Sequence, residues 1–198
     1  MNNRNNIQAL AEGAILIALS VVLSMIAIFK MPMGGTVAPF AMAPLVIFAL
    51  RRGAGWGVGA GLTYGIVQAL LGLENFSYVI GIAAIVGVAL LDYLIAFGAY
   101  GLAPIIAKPF SKNKVLGYGI AAFVCGALQF LCSFISGIII WGGWAPEDTP
   151  VWLYSLTYNG SYALPNAILT VIGTVAVMTL LDKVFPVKNN RKDGGIEV

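Results

Sequence analysis

Apolar residues fall in long runs rather than in the alternation of a half-buried strand or the narrow stripe of a surface helix. A membrane-spanning helix needs about 20 mostly apolar residues. The first run, residues 7–29, carries Gln8 and Glu12 only near its start. It is too long for a signal-peptide core and has no convincing small-residue cleavage site, so it reads as a helix. Residues 30–36 contain Pro32, Gly34 and Gly35 and read as a loop. A second, shorter run over 37–50 contains Pro39 and Pro44 and stops at Arg51-Arg52-Gly53; such a helix is tilted, kinked or partly re-entrant. A third run, 54–73, is rich in glycine. A fourth, 78–107, exceeds one span, so its first part reads as loop or interfacial. A basic loop at 108–114 leads to a fifth run, 115–141. A polar loop at 142–150 leads to a sixth, 151–184. The pattern predicts an all-α integral membrane protein, a six-transmembrane-helix bundle. It forms a single membrane domain over 1–185, followed by a polar cytoplasmic tail over 186–198.

Charge sets the orientation. With the N-terminus inside, only Lys30 of the 11 basic residues falls outside, while Glu74, Glu147 and Asp148 lie outside. The positive-inside rule then predicts that both termini are cytoplasmic, and it favours an even number of spans. Composition agrees: 60% of residues are hydrophobic and 10% charged, against about 45–50% and 25% in soluble domains. A water-soluble globular enzyme and a disordered chain are both excluded. The net charge of +3 is spread over loops beside anionic lipid headgroups and implies no nucleic-acid partner.

The absences narrow the chemistry. There is no His, which removes His-based acid–base catalysis and His metal ligation. Cys125 and Cys132 share a helix face but stand about 10 Å apart along it, too far to bridge. No phosphate-binding Gly-rich loop ending in Lys-Ser/Thr is present, so the chain shows no ATPase of its own. The reading includes no catalytic residue, no metal and no cofactor. The two halves show no repeat, which weakens a transporter built on inverted repeats.

Polar residues inside the runs point to a site. Asp92 lies within the fourth run, where a carboxylate costs several kcal/mol unless paired or hydrated. It is 16 residues from Lys108, about 24 Å along a helix, which puts it nearer the outer face. Gly126, Gln129, Ser133 and Gly137 share one face of the fifth helix. Its glycines suit close packing, and Ser133 matches Asp92 in depth better than Gln129 does. The sixth helix opens with Trp152, Tyr154, Tyr158, Asn159, Tyr162 and Asn166. Trp144 and Trp152 suit an interfacial belt, whereas Asn159 is a buried amide in need of partners. Asp92, Ser133, Trp141, Tyr154 and Asn159 together suggest an outer pocket for a small, flat, cationic or amine-bearing solute. Glu12 reads as snorkelling to the interface, and Ala14 and Ala18 form a small-xxx-small pair suited to helix contact.

These residues carry a resemblance. The segments Glu12-Gly-Ala14-Ile-Leu-Ile-Ala18, Leu50-Arg51-Arg52-Gly53, Leu91-Asp92-Tyr93, Ser136-Gly137-Ile-Ile-Ile-Trp141 and Tyr154-Ser155-Leu156-Thr157-Tyr158-Asn159 are similar to those of the substrate-binding S components of energy-coupling factor (ECF) vitamin transporters, of the thiamine-specific type. The resemblance implies a six-helix bundle without ATPase activity that binds its vitamin near the outer face. It also implies docking on a membrane coupling subunit served by two cytoplasmic ATPase subunits, which use the ATP. By position, the acidic pyrimidine-binding residue falls on Asp92 with Tyr93 beside it, the aromatic wall on Trp141, and polar contacts on Tyr154 and Asn159. Gln129, Ser133 and Gly137 complete the expected binding set, and the coupling-subunit contact falls on Ala14 and Ala18. The family pattern would put a basic residue at Gln129 and a His at Ser133, and in some members Glu at Asp92. The ligand implied is thiamine or a close relative, such as a pyrimidine or thiazole precursor. The competing reading is a self-sufficient permease or channel for a small cationic solute. An intramembrane enzyme is disfavoured, since no second deep carboxylate or activated thiol accompanies Asp92.

Overall fold

The computed structural model describes residues 3–184. The tail expected at 186–198 lies outside the described residues. Helix α1 covers Asn3–Met25. A two-stranded antiparallel ribbon follows, β1 (Phe29–Lys30) paired with β2 (Thr36–Val37), with a 3-10 turn at Pro32–Gly34 at its tip. Helix α2 is Ala43–Arg52, α3 is Ala54–Leu71, α4 is Ile82–Phe110, α5 is Lys114–Ile139 and α6 is Val151–Val184.

Among the described residues, four helices are long and apolar enough to cross a bilayer: α1, α4, α5 and α6. The expected six-span count is corrected to four, because α2 and α3 do not qualify. The 10 residues of α2 rise only about 15 Å, half of a hydrocarbon core about 30 Å thick. In α3, Gly55, Gly57, Gly59, Gly61 and Gly65 together with Thr63, Tyr64 and Gln68 dilute the apolar content. The second and third apolar runs were thus real, but they build a helical hairpin between the first two spans.

The hairpin is the centre of the molecule. Residues 43–49 of α2 are all buried, so this helix needs no polar face. Leu45, Val46, Phe48 and Ala49 pack with Tyr64 of α3, Tyr100 of α4 and Ala121, Ala122 and Cys125 of α5. Pro44 stands in the first turn of α2, where its missing amide costs nothing. Gly53 ends the helix at φ 94°, a left-handed conformation that lets α3 double back. Arg51 and Arg52 are thereby carried to Glu12 of α1: Arg51 Nε donates to Oε1 at 2.5 Å and Arg52 Nε to Oε2 at 2.6 Å. The snorkelling expected of Glu12 is replaced by this pairing, across 39 and 40 residues of sequence. At the same end Tyr118 of α5 donates to Asp182 of α6 at 2.8 Å, with Lys114 Nζ 3.8 Å away. The opposite end opens into a cavity.

Candidate functional site

Local backbone irregularity positions the carboxylate. Within α4, Ala89–Leu94 winds as a π-helix and contains both Asp92 and Tyr93. Such a turn adds a residue to the helical repeat and re-aims its side chains. Asp92 Oδ2 accepts from the Ser136 hydroxyl at 2.7 Å and from the Trp141 indole N–H at 3.1 Å. Both of its hydrogen bonds among the described residues fall on Oδ2, which leaves Oδ1 for another partner. Ser136 lies one helical turn from Ser133 on α5, and both are buried. Depth along the helices favours Ser133, but the residue that bonds Asp92 is Ser136, which lies beside Gly137 in the motif that carries the resemblance.

Asp92, Tyr93, Gln129, Ser133, Gly137, Trp141, Tyr154 and Asn159 all line one cavity of about 600 Å³. That volume lies within the usual range for small-molecule sites. Gln129 sits at its floor, with Oε1 accepting from the Tyr100 hydroxyl at 2.6 Å. Asn159 is satisfied on both sides: Nδ2 donates to the Ser155 carbonyl at 3.0 Å, and Oδ1 accepts from Tyr162 at 2.7 Å. Gly137 is where α5 meets α6; a Cβ there would overlap the Ser155 hydroxyl and stand 2.9 Å from Asn159 Nδ2. Tyr154, Tyr158 and Tyr162 rise four residues apart on one side of α6, with ring centroids 5.7 and 6.3 Å apart. Tyr93 stacks on Phe76 at 5.7 Å and accepts from Asn75 at 3.1 Å. Trp144 and Trp152 are exposed, and Trp144 donates to the Tyr78 carbonyl at 3.3 Å.

The ribbon was legible only as a loop. In the structure Met31, Pro32 and Gly35 border the cavity. Asn166 clips the ribbon to α6: Oδ1 accepts from the Ala38 amide at 3.0 Å and Nδ2 donates to the Thr36 carbonyl at 2.7 Å. Tyr158 donates to the Pro32 carbonyl. On the far wall Gln68 donates to Ser24 at 2.6 Å, and Tyr64 lines the same side. Gln68 and Ser24 carried no sequence signal, being single polar residues in apolar runs, and Asn75 lies in the short polar segment 74–77 that reads only as a connection. Ala14 and Ala18 are exposed on α1, away from the cavity.

A family model described as thiamine transporter protein matches residues 10–186. The chain belongs to this thiamine transporter family. Thiamine transporter ThiT of Bacillus subtilis is 36% identical over 182 residues, covering 87% of this chain and 91% of the relative. Thiamine transporter ThiT of Lacticaseibacillus paracasei is 30% identical over 161 residues, covering 77% and 78%. A solved structure of ThiT from Listeria monocytogenes superposes with a TM-score of 0.70 at 23% identity, covering 93% of this chain and 97% of that one, so the two share a fold. The resemblance to thiamine-specific S components therefore holds along nearly the whole chain. As a thiamine transporter family member, this is a multi-pass membrane transport subunit of the ECF type, not an enzyme.

Proposed function

We infer that this chain is the high-affinity thiamine-binding S component of an ECF-type transporter, taking the vitamin into the cavity beneath the ribbon. The observation that carries the reading is Asp92: a carboxylate within a spanning helix, tethered through Oδ2 by Ser136 and Trp141, in a cavity rimmed by aromatic rings. Thiamine combines an aminopyrimidine with a permanently charged thiazolium. A carboxylate at low dielectric makes strong hydrogen bonds to such an amine and ring. An aromatic face such as Trp141 or Tyr154 favours the cation. Tyr93, Gln129, Ser133, Gly137 and Asn159 form the remaining binding surface in this reading. With Gln129 engaged by Tyr100 and Ser133 in place of a larger donor, Asp92 and the rings carry more of the affinity.

The partners follow from the same reading. The exposed small pair Ala14 and Ala18 would meet a membrane coupling subunit, and two cytoplasmic ATPase subunits would supply the energy. The protein purified from cells grown with thiamine should carry it, identified by mass spectrometry of the released ligand. Reconstituted alone in liposomes, it should bind thiamine without concentrating it. Robust concentrative uptake by the chain alone would replace the S-component reading with a self-sufficient permease.

A further inference from the structure

A second cavity of about 600 Å³ is a groove on the flank of the bundle, between α1, α2 and α6. Leu19 and Leu23 of α1, Ile47 of α2, and Val177 and Leu181 of α6 line it, and its charged members are Glu12 and Arg51. Along α1 the wall runs from Glu12 to Leu23, eleven residues or about 17 Å of helix. That is about the hydrocarbon depth of one leaflet, half of roughly 30 Å. The length and apolar lining of this groove match an acyl chain rather than water.

Charge at the mouth narrows the occupant. Arg52 directs both Nε and Nη2 to Glu12 Oε2, so it is spent on that carboxylate. Arg51 uses Nε on Oε1, and its side chain is 38% exposed, with both Nη groups unpartnered among the described residues. Two guanidinium groups against one carboxylate leave a net positive charge at the groove end. Glu12 holds the Arg51 fork in place, and such a fork matches a phosphate. A phospholipid bearing an ammonium would bring a third cation to this arginine pair; an anionic headgroup does not. Ala14 and Ala18 lie about 155° and about 115° round α1 from the mean direction of its groove-lining residues, so the small pair faces away from the centre of the groove, with Ile15 at the border between the two surfaces.

We propose that the groove is a binding site for an anionic phospholipid of the leaflet on this side, with one acyl chain between α1 and α6 and the phosphate on Arg51. Basic pockets between spanning helices are suited to such headgroups. The proposal does not depend on the thiamine reading. The test is native mass spectrometry of the full chain released from micelles doped equally with dioleoyl-phosphatidylglycerol and dioleoyl-phosphatidylcholine. One phosphatidylglycerol should be retained at least about 10-fold over phosphatidylcholine. Arg51→Gln should abolish that preference, and Leu19→Trp, which fills the groove, should remove the retained lipid, both with thiamine affinity unchanged. Val177→Trp, from the opposite wall, repeats the test if Leu19→Trp does not fold. Equal retention of the two lipids by the parent, or full retention of phosphatidylglycerol after the groove is filled, would overturn the proposal. So would groove-filled variants that keep the lipid but lose assembly with a coupling subunit, which would make the groove a protein-docking face.

Discussion

Replacing Asp92 by Asn separates its two jobs. The side chain holds Ser136 at 2.7 Å and Trp141 at 3.1 Å through one oxygen, Oδ2. An Asn carbonyl oxygen in that place still accepts from both, so α4, α5 and the Trp141 ring keep their relative positions. What changes is the other atom, where a carboxylate oxygen becomes an amide NH₂. A ligand amine then meets a donor instead of an anionic acceptor. Loss of a hydrogen bond to a charged group is worth about 1.5–3 kcal/mol, and the donor–donor mismatch adds to it. The expected loss is about 2–4 kcal/mol, roughly 30- to 1,000-fold in Kd. Thiamine titration followed by quenching of tryptophan fluorescence reads this directly, because the Trp141 indole sits on the same carboxylate. The thermal midpoint should barely move. Asp92→Ala, by contrast, strands the buried Ser136 hydroxyl and the half-buried Trp141 indole N–H and should lower both binding and stability. If Asp92→Asn binds thiamine as tightly as the parent, Asp92 is a packing residue and the pyrimidine lies elsewhere.

Four further outcomes follow from the same geometry. Trp141→Ala should weaken thiamine binding by about 1–2 kcal/mol through lost stacking and cation–π attraction, measured by calorimetry; an unchanged enthalpy and Kd would remove the ring from the site. Gly137→Ala drives a methyl into Ser155 and toward Asn159, and should cost about 1–3 kcal/mol of stability as α5 and α6 move apart, seen as a lowered unfolding midpoint. Asn166→Leu unclips the ribbon from α6 and should raise the thiamine off-rate at least several-fold in stopped-flow displacement; an unaltered off-rate would make the ribbon a passive connection. Ala14→Trp, on the exposed face of α1, should block co-purification with a coupling subunit and leave the Kd for thiamine alone, whereas loss of binding with assembly intact would place Ala14 in the core.

Hydropathy placed the spanning helices well. The run at 151–184 is helix Val151–Val184, and the run at 115–141 is helix Lys114–Ile139, which stops two residues before Trp141. The same index overcounted at residues 37–73, because apolar content marks burial whether lipid or protein does the burying. Only packing distinguishes the two: residues 43–49 are buried through contacts with α1, α3, α4, α5 and α6. Asp92 stood out in the sequence because an isolated carboxylate among apolar neighbours is costly wherever the rest of the chain goes. Trp141 was legible as a member of the same pocket, but its hydrogen bond to Asp92 and that of Ser136 were not, since they lie 49 and 44 residues away and nothing local announces which donor a carboxylate will meet. The clip from Asn166 to Thr36 and Ala38 reaches across 130 and 128 residues, and the Glu12 pairing with Arg51 and Arg52 depends on a hairpin turned at Gly53. Transfer free energy is a sum over one segment, so the chain alone determined that it lives in a membrane and which segments are apolar enough for lipid. Hydrogen-bond and ion-pair partners depend on which segments become neighbours, and that only the folded bundle decided.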